Sequence, residues 1–435
     1  MDKTLYFVDS IHRGLGEYSA DIYVNLIATK AEEDGYFPTF SLKVTQEQLR
    51  LEDIADKPEI QEGQYVLYEG DEVSNHHFSD GSNDNYAERI RARGEAIRKA
   101  LAELPFNQRV SHLSRKEEAV LYSIHGIFSY HVNVGHGNCS LILIKSKDDY
   151  VLWMVDCSIY ERGCKSTHRI KHDKDLKMCL DDIKYRVKTD HLQIDRFMLT
   201  HMHYDHYSGV NYLLNNGYFT QDTKYYINHY YECNSEIMVS FLESIKAYAN
   251  NIIEPIVKNS STWHHNSAIK ILHPEQRICK KTNNQGNSSI ITVSNANNAS
   301  VVFLIEVDGI SMVFPGDLEI EGFNRMTKSL KCSPWLHYSN FYAISHHGSN
   351  NGHPDILCQG SRNHDKVIEC MNCNLSKTVL MGRDGAYSTM FDPNVVSFFN
   401  KKNNRLVTTD MKRGKDESLK YLILDWHNGN VNYIF

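Results

Sequence analysis

The stretch Leu199-Thr200-His201-Met202-His203-Tyr204-Asp205-His206 decides how this chain is interpreted, because three histidines and an aspartate lie within six positions. It directly follows an apolar run that is typical of a buried strand. On an extended segment His201 and His203 lie on the same side, and Asp205 and His206 then turn back toward them. Imidazole and carboxylate groups bind Zn²⁺ and similar divalent ions. The motif therefore predicts two adjacent metal sites, one begun by His201 and His203 and the other by Asp205 and His206. A His-rich surface loop is the alternative, and the Asp-His pair after a strand argues against it.

Composition limits the class of protein. The 435 residues exceed one average domain, so we expect a large catalytic domain and a smaller unit. The formal net charge of −7 argues against broad coating of DNA, although a local basic groove is compatible with it. Neither a membrane span nor a signal peptide is predicted. The 10 cysteines lack the spacing of a disulfide framework, so we expect a cytoplasmic protein.

Residues 1–120 are predicted to form an accessory or docking domain, separate from a larger domain at 121–435. Short strand-like runs lie at 21–27 and 64–68. The polar stretch 74–85 is predicted as a loop, with His76 and His77 in solvent. Because this unit holds no cluster of metal-ligating residues, we expect it to pack against the larger domain or a protein partner and to supply no metal ligand.

An amphipathic helix is predicted over 86–104, where apolar residues recur at helical spacing. Its basic face is expected to lie in solvent, with contact to nucleic acid as the alternative interpretation. The residues of that face are Arg89, Arg91, Arg93, Arg98 and Lys99.

After residue 121 the pattern changes to short apolar runs separated by turns and by helical segments, for example 237–249 and 395–399. Mixed strands and helices of this kind predict layered sheets flanked by helices, an α/β sandwich. The strand-like runs are 130–134, 139–144, 150–155, 224–227, 300–306, 310–314, 341–345, 378–381 and 421–424.

Further candidate ligands stand where other strand-like runs end. Asp317 follows a run that breaks at Pro315-Gly316, and an aspartate can bridge two cations with one oxygen on each. His346 and His347 follow another run and precede a glycine turn. Asp156 closes a third run, and we expect it to orient a ligand histidine. Each signal is weak alone, but in order with the His-x-His-x-Asp-His motif they are strong together.

The order of these motifs resembles the metallo-β-lactamase superfamily. Several segments are similar to its branch typified by the hydrolase domain of the DNA-uptake competence protein ComEC. The likeness covers roughly residues 128–430 and leaves the first 120 residues unexplained. The segments that carry it are Asn133-Val134-Gly135-His136-Gly137-Asn138-Cys139-Ser140, Asn298-Ala299-Ser300-Val301-Val302, Ser345-His346-His347-Gly348-Ser349, Met381-Gly382-Arg383-Asp384-Gly385-Ala386-Tyr387 and Leu406-Val407-Thr408-Thr409-Asp410.

The resemblance implies an αββα sandwich that binds two divalent metal ions, zinc or manganese, and attacks its substrate with a metal-activated hydroxide. It implies that Asp156 and Asn298 support the ligands, and that Ser349 and Asn350 are weaker candidates for binding a substrate phosphate. The implied catalytic residues are Asp205, Asp317 and His346. The implied metal ligands are His201, His203, Asp205, His206, Asp317, His346 and His347.

The chain departs from the superfamily where a histidine commonly opens the strand before Asp317. Asn298 stands in that region, so the first ion would have His201, His203 and Asp317, with Asn298 or water completing its coordination. Fewer nitrogen donors weaken zinc retention, which makes manganese an alternative. Other histidines of the interval could substitute, although each is expected to be a surface or core residue; they are His229, His264, His265 and His273.

Substrate handling is expected to differ from the family type. The turn at 135–138 carries His136 and Asn138 where the family has glutamine and aspartate. A basic segment at 162–174 predicts a patch that guides a nucleic-acid strand, with a solvated loop as the alternative.

A separate structural zinc site is a weaker prediction. Cys370 and Cys373 have zinc-knuckle spacing, and Cys358 and His364 precede them. Unrelated buried thiols are the alternative interpretation.

Three functions are compatible with these motifs: a nuclease or phosphodiesterase, a hydrolase of a small ester, thioester or lactam, and a non-catalytic regulatory protein of the same fold. The presence of Asp205, His206 and Asp317 argues against the third. The asparagine at 298 and the His-His-Gly-Ser motif favour a phosphodiester, so nucleic acid is the expected substrate. The fold alone does not decide this.

Overall fold

Apolar runs along the chain pair into three β-sheets, two of which stack face to face. The computed structural model describes residues 3–14, 20–31, 37–70, 76–102, 111–160, 171–228, 233–255, 263–264, 266–274, 295–330, 339–353, 375–388, 390–400, 405–413 and 417–435. In these ranges the sheets have five, eight and seven strands, and a two-stranded ribbon lies beside them.

The N-terminal residues form a separate antiparallel sheet with the order β3-β2-β1-β4-β5. Its strands are β1 (Thr4–Arg13), β2 (Ile22–Ala28), β3 (Thr39–Val44), β4 (Tyr65–Gly70) and β5 (His76–Asp80). The prediction of a loop over 74–85 is wrong for β5, which pairs with β4 as an edge strand. His76, expected in solvent, is buried there, whereas His77 is exposed.

The predicted amphipathic helix is present as α1 (Asn85–Ala102). Part of its basic face contacts the larger domain. Arg93 bonds to Glu236 and Glu243, and Arg98 Nη2 donates to Asn234 Oδ1 at 2.8 Å. The prediction that this face lies in solvent is therefore wrong for these two arginines.

Helix α2 (Arg115–Tyr122) begins with a capping box between Ser114 and Glu117. Glu117 is buried and accepts a bond from Arg196 Nη2 at 2.9 Å. Burial disfavours its charged form, but Arg196 outweighs burial and lowers the pKa of Glu117 to about 2. Val120 packs into the core between the two stacked sheets, so α2 contacts the sandwich, and the predicted domain boundary at 120/121 falls inside this helix.

The first sheet of the sandwich has the order β11-β10-β9-β8-β7-β6-β21-β22. The strands from β8 to β11 are parallel, and the remaining neighbours are antiparallel. The bounds are β6 (Gly126–Val132), β7 (Cys139–Lys145), β8 (Tyr150–Cys157), β9 (Arg196–Met198), β10 (Lys224–Tyr226), β11 (Ile252–Ile253), β21 (Tyr421–Asp425) and β22 (Asn430–Ile434).

The second sheet has the order β12-β13-β14-β15-β16-β17-β18, antiparallel up to β15 and parallel from there. The bounds are β12 (Trp263–His264), β13 (Ile269–His273), β14 (Val302–Val307), β15 (Ile310–Phe314), β16 (Phe341–Ala343), β17 (Lys377–Leu380) and β18 (Arg405–Thr408). The ribbon pairs β19 (Lys412–Arg413) with β20 (Glu417–Ser418).

The facing surfaces of the two sheets share one core, in which Ile142 and Trp153 of the first sheet lie with Phe303 and Met312 of the second. The outer face of the first sheet is covered by α3 (Asp173–Val187), α4 (Tyr204–Tyr207), α5 (Val210–Asn215) and α6 (Glu236–Lys246). The outer face of the second is covered by α7 (Ile320–Leu330) and α8 (Pro393–Phe399). The layers run helix, sheet, sheet, helix, so the expected αββα sandwich is confirmed.

The strand ends place the predicted site at one edge of this sandwich. Residue 156 lies near the end of β8, the segment 199–206 follows β9, and residues 317 and 344–347 follow β15 and β16. The parallel pairs β8–β9 and β15–β16 bring these ends together on their own sheets. Among the described helices, none has both the length and the apolar character needed to cross a membrane.

Candidate metal centre

Four predicted ligands converge into one buried cluster, which we call the aspartate half. It consists of Asp205, His206, Asp317 and His347, each of which offers a nitrogen or oxygen within 4.8 Å of the others. His206 Nε2 lies 3.2 Å from Asp317 Oδ1, and His347 Nε2 lies 3.3 Å from Asp317 Oδ2. Each of the four is 2% exposed or less. The end of the first sheet supplies two of them and the end of the second sheet supplies the other two.

Asp156 is in contact with His206, and this contact is compatible with the predicted role of orienting a ligand histidine. His206 Nδ1 donates to Asp156 Oδ2 at 2.8 Å, so Nε2 keeps its lone pair and faces the cluster. The backbone N–H and the hydroxyl of Thr200 each donate to Asp156 at 2.8 Å. Gly316 packs on the same threonine: a Cβ at this position would lie 2.6 Å from Thr200 Cβ, and its φ is +60°. Glycine therefore lets the turn before Asp317 approach this network.

His346 and His347 both have left-handed backbone conformations, with φ of 48° and 50°. Such values are costly for side chains other than glycine and occur at functional sites. The conformation turns His347 into the aspartate half, where its Nδ1 donates to the carbonyl of Met381 at 3.0 Å and its Nε2 faces Asp205. Of the two adjacent histidines, His347 is the one that belongs to the four-residue cluster.

His136 also reaches the cluster, although the sequence marked it only as a departure from the family turn. Its Nε2 lies 3.2 Å from Asp205 Oδ2, and its ring centroid lies 4.3 Å from that of His347. The turn that carries it docks on the motif, because Asn138 N–H donates to the carbonyl of Asp205 at 3.0 Å. In the sequence, the feature that indicates His136 as a site residue is its position between two glycines directly after β6.

The remaining predicted ligands form a second group beside the first, which we call the histidine half: His201, His203 and His346. His201 Nε2 lies 3.1 Å from His203 Nδ1, and Thr200 Oγ1 lies 3.2 Å from His201 Nδ1. His346 Nε2 lies 3.9 Å from Asp317 Oδ2, so Asp317 stands between the two halves. The expected role of Asp317 as a bridge between two ions fits this position.

Glu319 lies beside the histidine half and was not identified from the sequence. Its Oε1 lies 3.6 Å from His346 Nδ1. Four asparagine side chains donate to this carboxylate at 2.9 to 3.1 Å; they are Asn295, Asn297, Asn298 and Asn351. Glu319 thus ties the loop at 295–299 to the segment after His347. The only local signal was a carboxylate two positions after Asp317.

Three weaker site predictions occupy buried positions. Asn298 Oδ1 accepts the N–H of Gly322 at 2.8 Å while its amide donates to Glu319, which fits support of the site rather than coordination. Ser349 donates its hydroxyl to Asn351, and Asn350 is 2% exposed. His273, an alternative ligand, is buried with Nδ1 2.7 Å from the carbonyl of Ser300.

Several predictions concern residues that the structure does not describe. They include the proposed zinc ligands Cys358, His364, Cys370 and Cys373, the histidines His229 and His265, and part of the basic segment, 162–170. His264 lies in the short strand β12.

The donor atoms of the site fit a metal ion. Three ligands of the aspartate half each have a buried atom that makes no hydrogen bond to the described residues: His206 Nε2, Asp317 Oδ1 and His347 Nε2. Ligands held about 2.1 Å from a tetrahedral zinc ion lie about 3.4 Å apart. The separations of 3.2, 3.3 and 3.5 Å within the aspartate half have this size. Buried polar atoms normally find a partner, and a divalent cation would provide one.

The electrostatics of the two halves differ. Burial disfavours charge on His347, but Asp317 and Asp205 outweigh it and raise the pKa of His347 to about 9. The pKa of Asp317 is held well below its usual value because His347 and His206 outweigh burial. Burial lowers the pKa values of His201 and His346, which keeps these imidazoles neutral. The carboxylates thus stabilise positive charge in the aspartate half, and the histidine half offers neutral nitrogen donors.

These motifs meet at one edge of an αββα sandwich, with carboxylates and imidazoles from both sheets. This is the arrangement that the resemblance to the metallo-β-lactamase superfamily implied. No protein-family model and no curated protein matches the chain.

Solved structures similar to this chain include a long form RNase Z from yeast, with 12% identity, a TM-score of 0.35, and coverage of 86% of this chain and 52% of the yeast chain. The chain thus spans about half of that protein. A protein described as a metal-dependent hydrolase from Parabacteroides distasonis has 10% identity and a TM-score of 0.26. The match covers 62% of this chain and 93% of that protein. An archaeal metallo-β-lactamase superfamily protein from Sulfolobus tokodaii has 14% identity and a TM-score of 0.21. The match covers 43% of this chain and 62% of that protein. The fold is defined by its helix–sheet–sheet–helix layers and by the motifs that converge at one edge.

A cleft of about 590 Å³ opens beside the turn that carries His136. Its wall includes Gly135 of that turn and three side chains that can carry positive charge: His172, Arg383 and Lys412. Two carboxylates, Asp384 and Asp410, also line it. His172 is a member of the basic segment that the sequence singled out.

Proposed function

We propose that this chain is a metal-dependent hydrolase that binds two divalent ions and cleaves phosphodiester bonds, with nucleic acid as its substrate. The observation that carries the proposal is the aspartate half, a buried set of two carboxylates and two imidazoles whose atoms face one another. Its donor set suits zinc or manganese. The proposed enzyme acts in the cytoplasm, in keeping with the buried free thiols of Cys139, Cys157, Cys179 and Cys233.

The two halves would hold one ion each. Asp205, His206 and His347 would bind one ion, the histidine half would bind the other, and Asp317 would contact both. Divalent cations at this place supply Lewis acidity, which makes water a better nucleophile at neutral pH and offsets negative charge on the attacked phosphate.

The chain's own residues would orient the reactants and move protons. Asp205 lies within 3.2 Å of His136 Nε2 and would orient the attacking water and accept its proton. His136 would pass that proton on, or donate one to the leaving oxygen, because it borders both the cluster and the cleft turn. We expect His136→Gln, which restores the family residue, to keep the metal and slow cleavage about 10²-fold.

The cleft supports a phosphodiester rather than a small neutral substrate. Arg383 and Lys412 would contact phosphate groups, and guanidinium groups bind phosphate oxygens well. His172, which also lines the cleft, is a member of the basic segment at 162–174. Ser349 and Asn350 remain proposed phosphate contacts.

We also propose that residues 1–120 form an accessory domain and residues 121–435 the hydrolase domain. The separate N-terminal sheet supports this division. Its position beside the site suits a role in substrate access or in docking a protein partner.

The test is incubation of the purified protein with labelled DNA and RNA in Mg²⁺, Mn²⁺ or Zn²⁺, with a chelator control and Asp205→Asn as the matched inactive variant. We expect metal-dependent cleavage that the variant lacks. Rapid hydrolysis of p-nitrophenyl esters or lactams, without cleavage of any phosphodiester, would contradict the proposed substrate class.

A further inference from the structure

Two carboxylates of the N-terminal unit lie against the segment that carries His203. Asp9, in β1, accepts the backbone N–H of Tyr204 with both oxygens at 3.2 Å. Glu62, in the loop before β4, has Oε2 3.8 Å from His203 Nε2. Asp9 is 4% exposed and the Glu62 side chain 11%. The unit that the sequence separated from the metal motif is therefore in direct contact with it.

Glu62 is held in this position by bonds that do not involve His203. Its Oε1 accepts the N–H of Ile11 in β1 at 3.0 Å, and its Oε2 accepts the N–H of Ala296 at 3.0 Å. The second bond ties the N-terminal sheet to the loop at 295–299, which lines the histidine half. The carboxylate is thus fixed by two strongly directional bonds before it faces the imidazole.

The orientation of His203 decides what this carboxylate can do. Its Nδ1 lies beside His201 Nε2, and its Nε2 lies on the Glu62 side of the ring. A neutral imidazole carries one proton, on one nitrogen only. For Nδ1 to offer a lone pair to an ion shared with His201, the proton must be on Nε2. A carboxylate facing Nε2 stabilises that arrangement.

We propose that Glu62 is a positioning residue of the metal centre, which keeps the proton of His203 on Nε2 and leaves Nδ1 free for the ion of the histidine half. This inference rests on the proposed two-ion function and extends it, because a unit outside the sandwich completes the centre. Asp156 has the corresponding position at His206, where it faces Nδ1 at 2.8 Å and leaves Nε2 free. At 3.8 Å Glu62 acts through its charge rather than a hydrogen bond, so its effect is smaller.

The test compares Glu62→Gln with Glu59→Gln, a half-exposed glutamate of the same loop that pairs with Arg13. Zinc binding is titrated against a chromogenic chelator, and bound zinc is counted by elemental analysis. We expect two ions in the wild type and in Glu59→Gln. Glu62→Gln should keep the tighter ion and bind the weaker one about 10-fold less tightly. Equal affinity for both ions in Glu62→Gln and wild type would overturn the inference.

A measurement on the wild type keeps the inference testable if Glu62→Gln fails to fold. In ¹⁵N NMR spectra of the zinc-loaded protein, His203 should carry its proton on Nε2 and bind metal through Nδ1. Binding through Nε2 would overturn the role of Glu62. A wild type that binds no divalent ion would instead overturn the proposed function, so the two failures are distinguishable.

Discussion

The two halves of the candidate centre are built from similar residues but are supported differently. In the aspartate half, every ligand lies on a strand-end segment of the sandwich, and Asp156 of the same sandwich orients His206 at 2.8 Å. In the histidine half, the nearest carboxylates are Glu62, from the N-terminal unit, and Glu319, at 3.8 and 3.6 Å from their histidines. One half is complete within the fold, and the other depends on a part of the chain outside it.

This difference indicates that the two ions should be bound with unequal affinity. The carboxylates of the aspartate half stabilise positive charge and raise the pKa of His347 to about 9, whereas burial lowers the pKa of His346. A site with two carboxylate ligands attracts a dication more strongly than a site of neutral imidazoles. We therefore expect the aspartate half to bind its ion at a lower metal concentration than the histidine half.

The largest effect is expected at Asp317, the residue between the halves. Asp317→Asn should lose both ions and lower phosphodiester cleavage on the order of 10³-fold or more, because it removes charge from both sites. Elemental analysis and initial rates check this. Asp308→Asn, an exposed aspartate of the hairpin before Asp317, is the control and should behave as the wild type. Retention of both ions in Asp317→Asn would contradict a shared ligand.

The next largest effect is expected when ligands of the aspartate half alone are removed. The double change Asp205→Ala/His206→Ala should lose the ion of the aspartate half, and thus at least half of the bound metal, because two of its four ligands are gone. Activity should fall about 10³-fold. Asp222→Asn, at an exposed position beyond α5, is the control for elemental analysis. Unchanged stoichiometry in the double variant would place the metal elsewhere.

A smaller effect is expected from the orienting carboxylate. Asp156→Asn leaves every ligand in place but weakens the preference of His206 for its required orientation, so metal affinity should fall about 10- to 100-fold. The loss should appear at the tighter ion, whereas Glu62→Gln should affect the weaker one. Asp149→Asn, exposed on the β7–β8 hairpin, is the control. If both variants lowered the affinity for the same ion, the separation of the centre into two halves would be wrong.

The smallest effect on metal is expected from Glu117→Gln, which changes the buried ion pair between α2 and Arg196 of β9. Leaving Arg196 buried without its partner should lower the free energy of unfolding by about 3 kcal/mol, with unchanged metal content. The folded pKa of about 2 lies below the ordinary 4.5, so Glu117 stabilises the fold above about pH 4.5. This stabilisation is lost as the pH falls toward 2. Denaturant titrations at several pH values should show a weaker acid dependence in the variant.

The sandwich and the motif residues could be predicted because they depend on local sequence. The run at 310–314 is apolar and ends at Pro315-Gly316, so both β15 and the position of Asp317 followed from it. The alternation of strands and helices predicted layered sheets flanked by helices, and the resemblance implied their αββα order. The role of Asp156 in orienting a histidine was predicted from its position where a strand-like run ends.

Strand β1 was missed because Asp9, Ser10 and His12 interrupt its apolar pattern. All three are buried in the structure, and Asp9 bonds to the backbone of Tyr204. Glu62 and Glu319 were missed for a related reason: their partners are distant in sequence, and only the folded chain brings them together. Contacts of this kind leave no periodic signal.

The most direct test of the metal centre is anomalous diffraction from crystals of the full chain grown with Zn²⁺ or Mn²⁺. We predict one strong peak about 2.0–2.2 Å from atoms of Asp205, His206, Asp317 and His347, and a second, weaker peak beside His201 and His203. Well-ordered crystals without a peak among these residues, or with metal bound only elsewhere, would contradict the account.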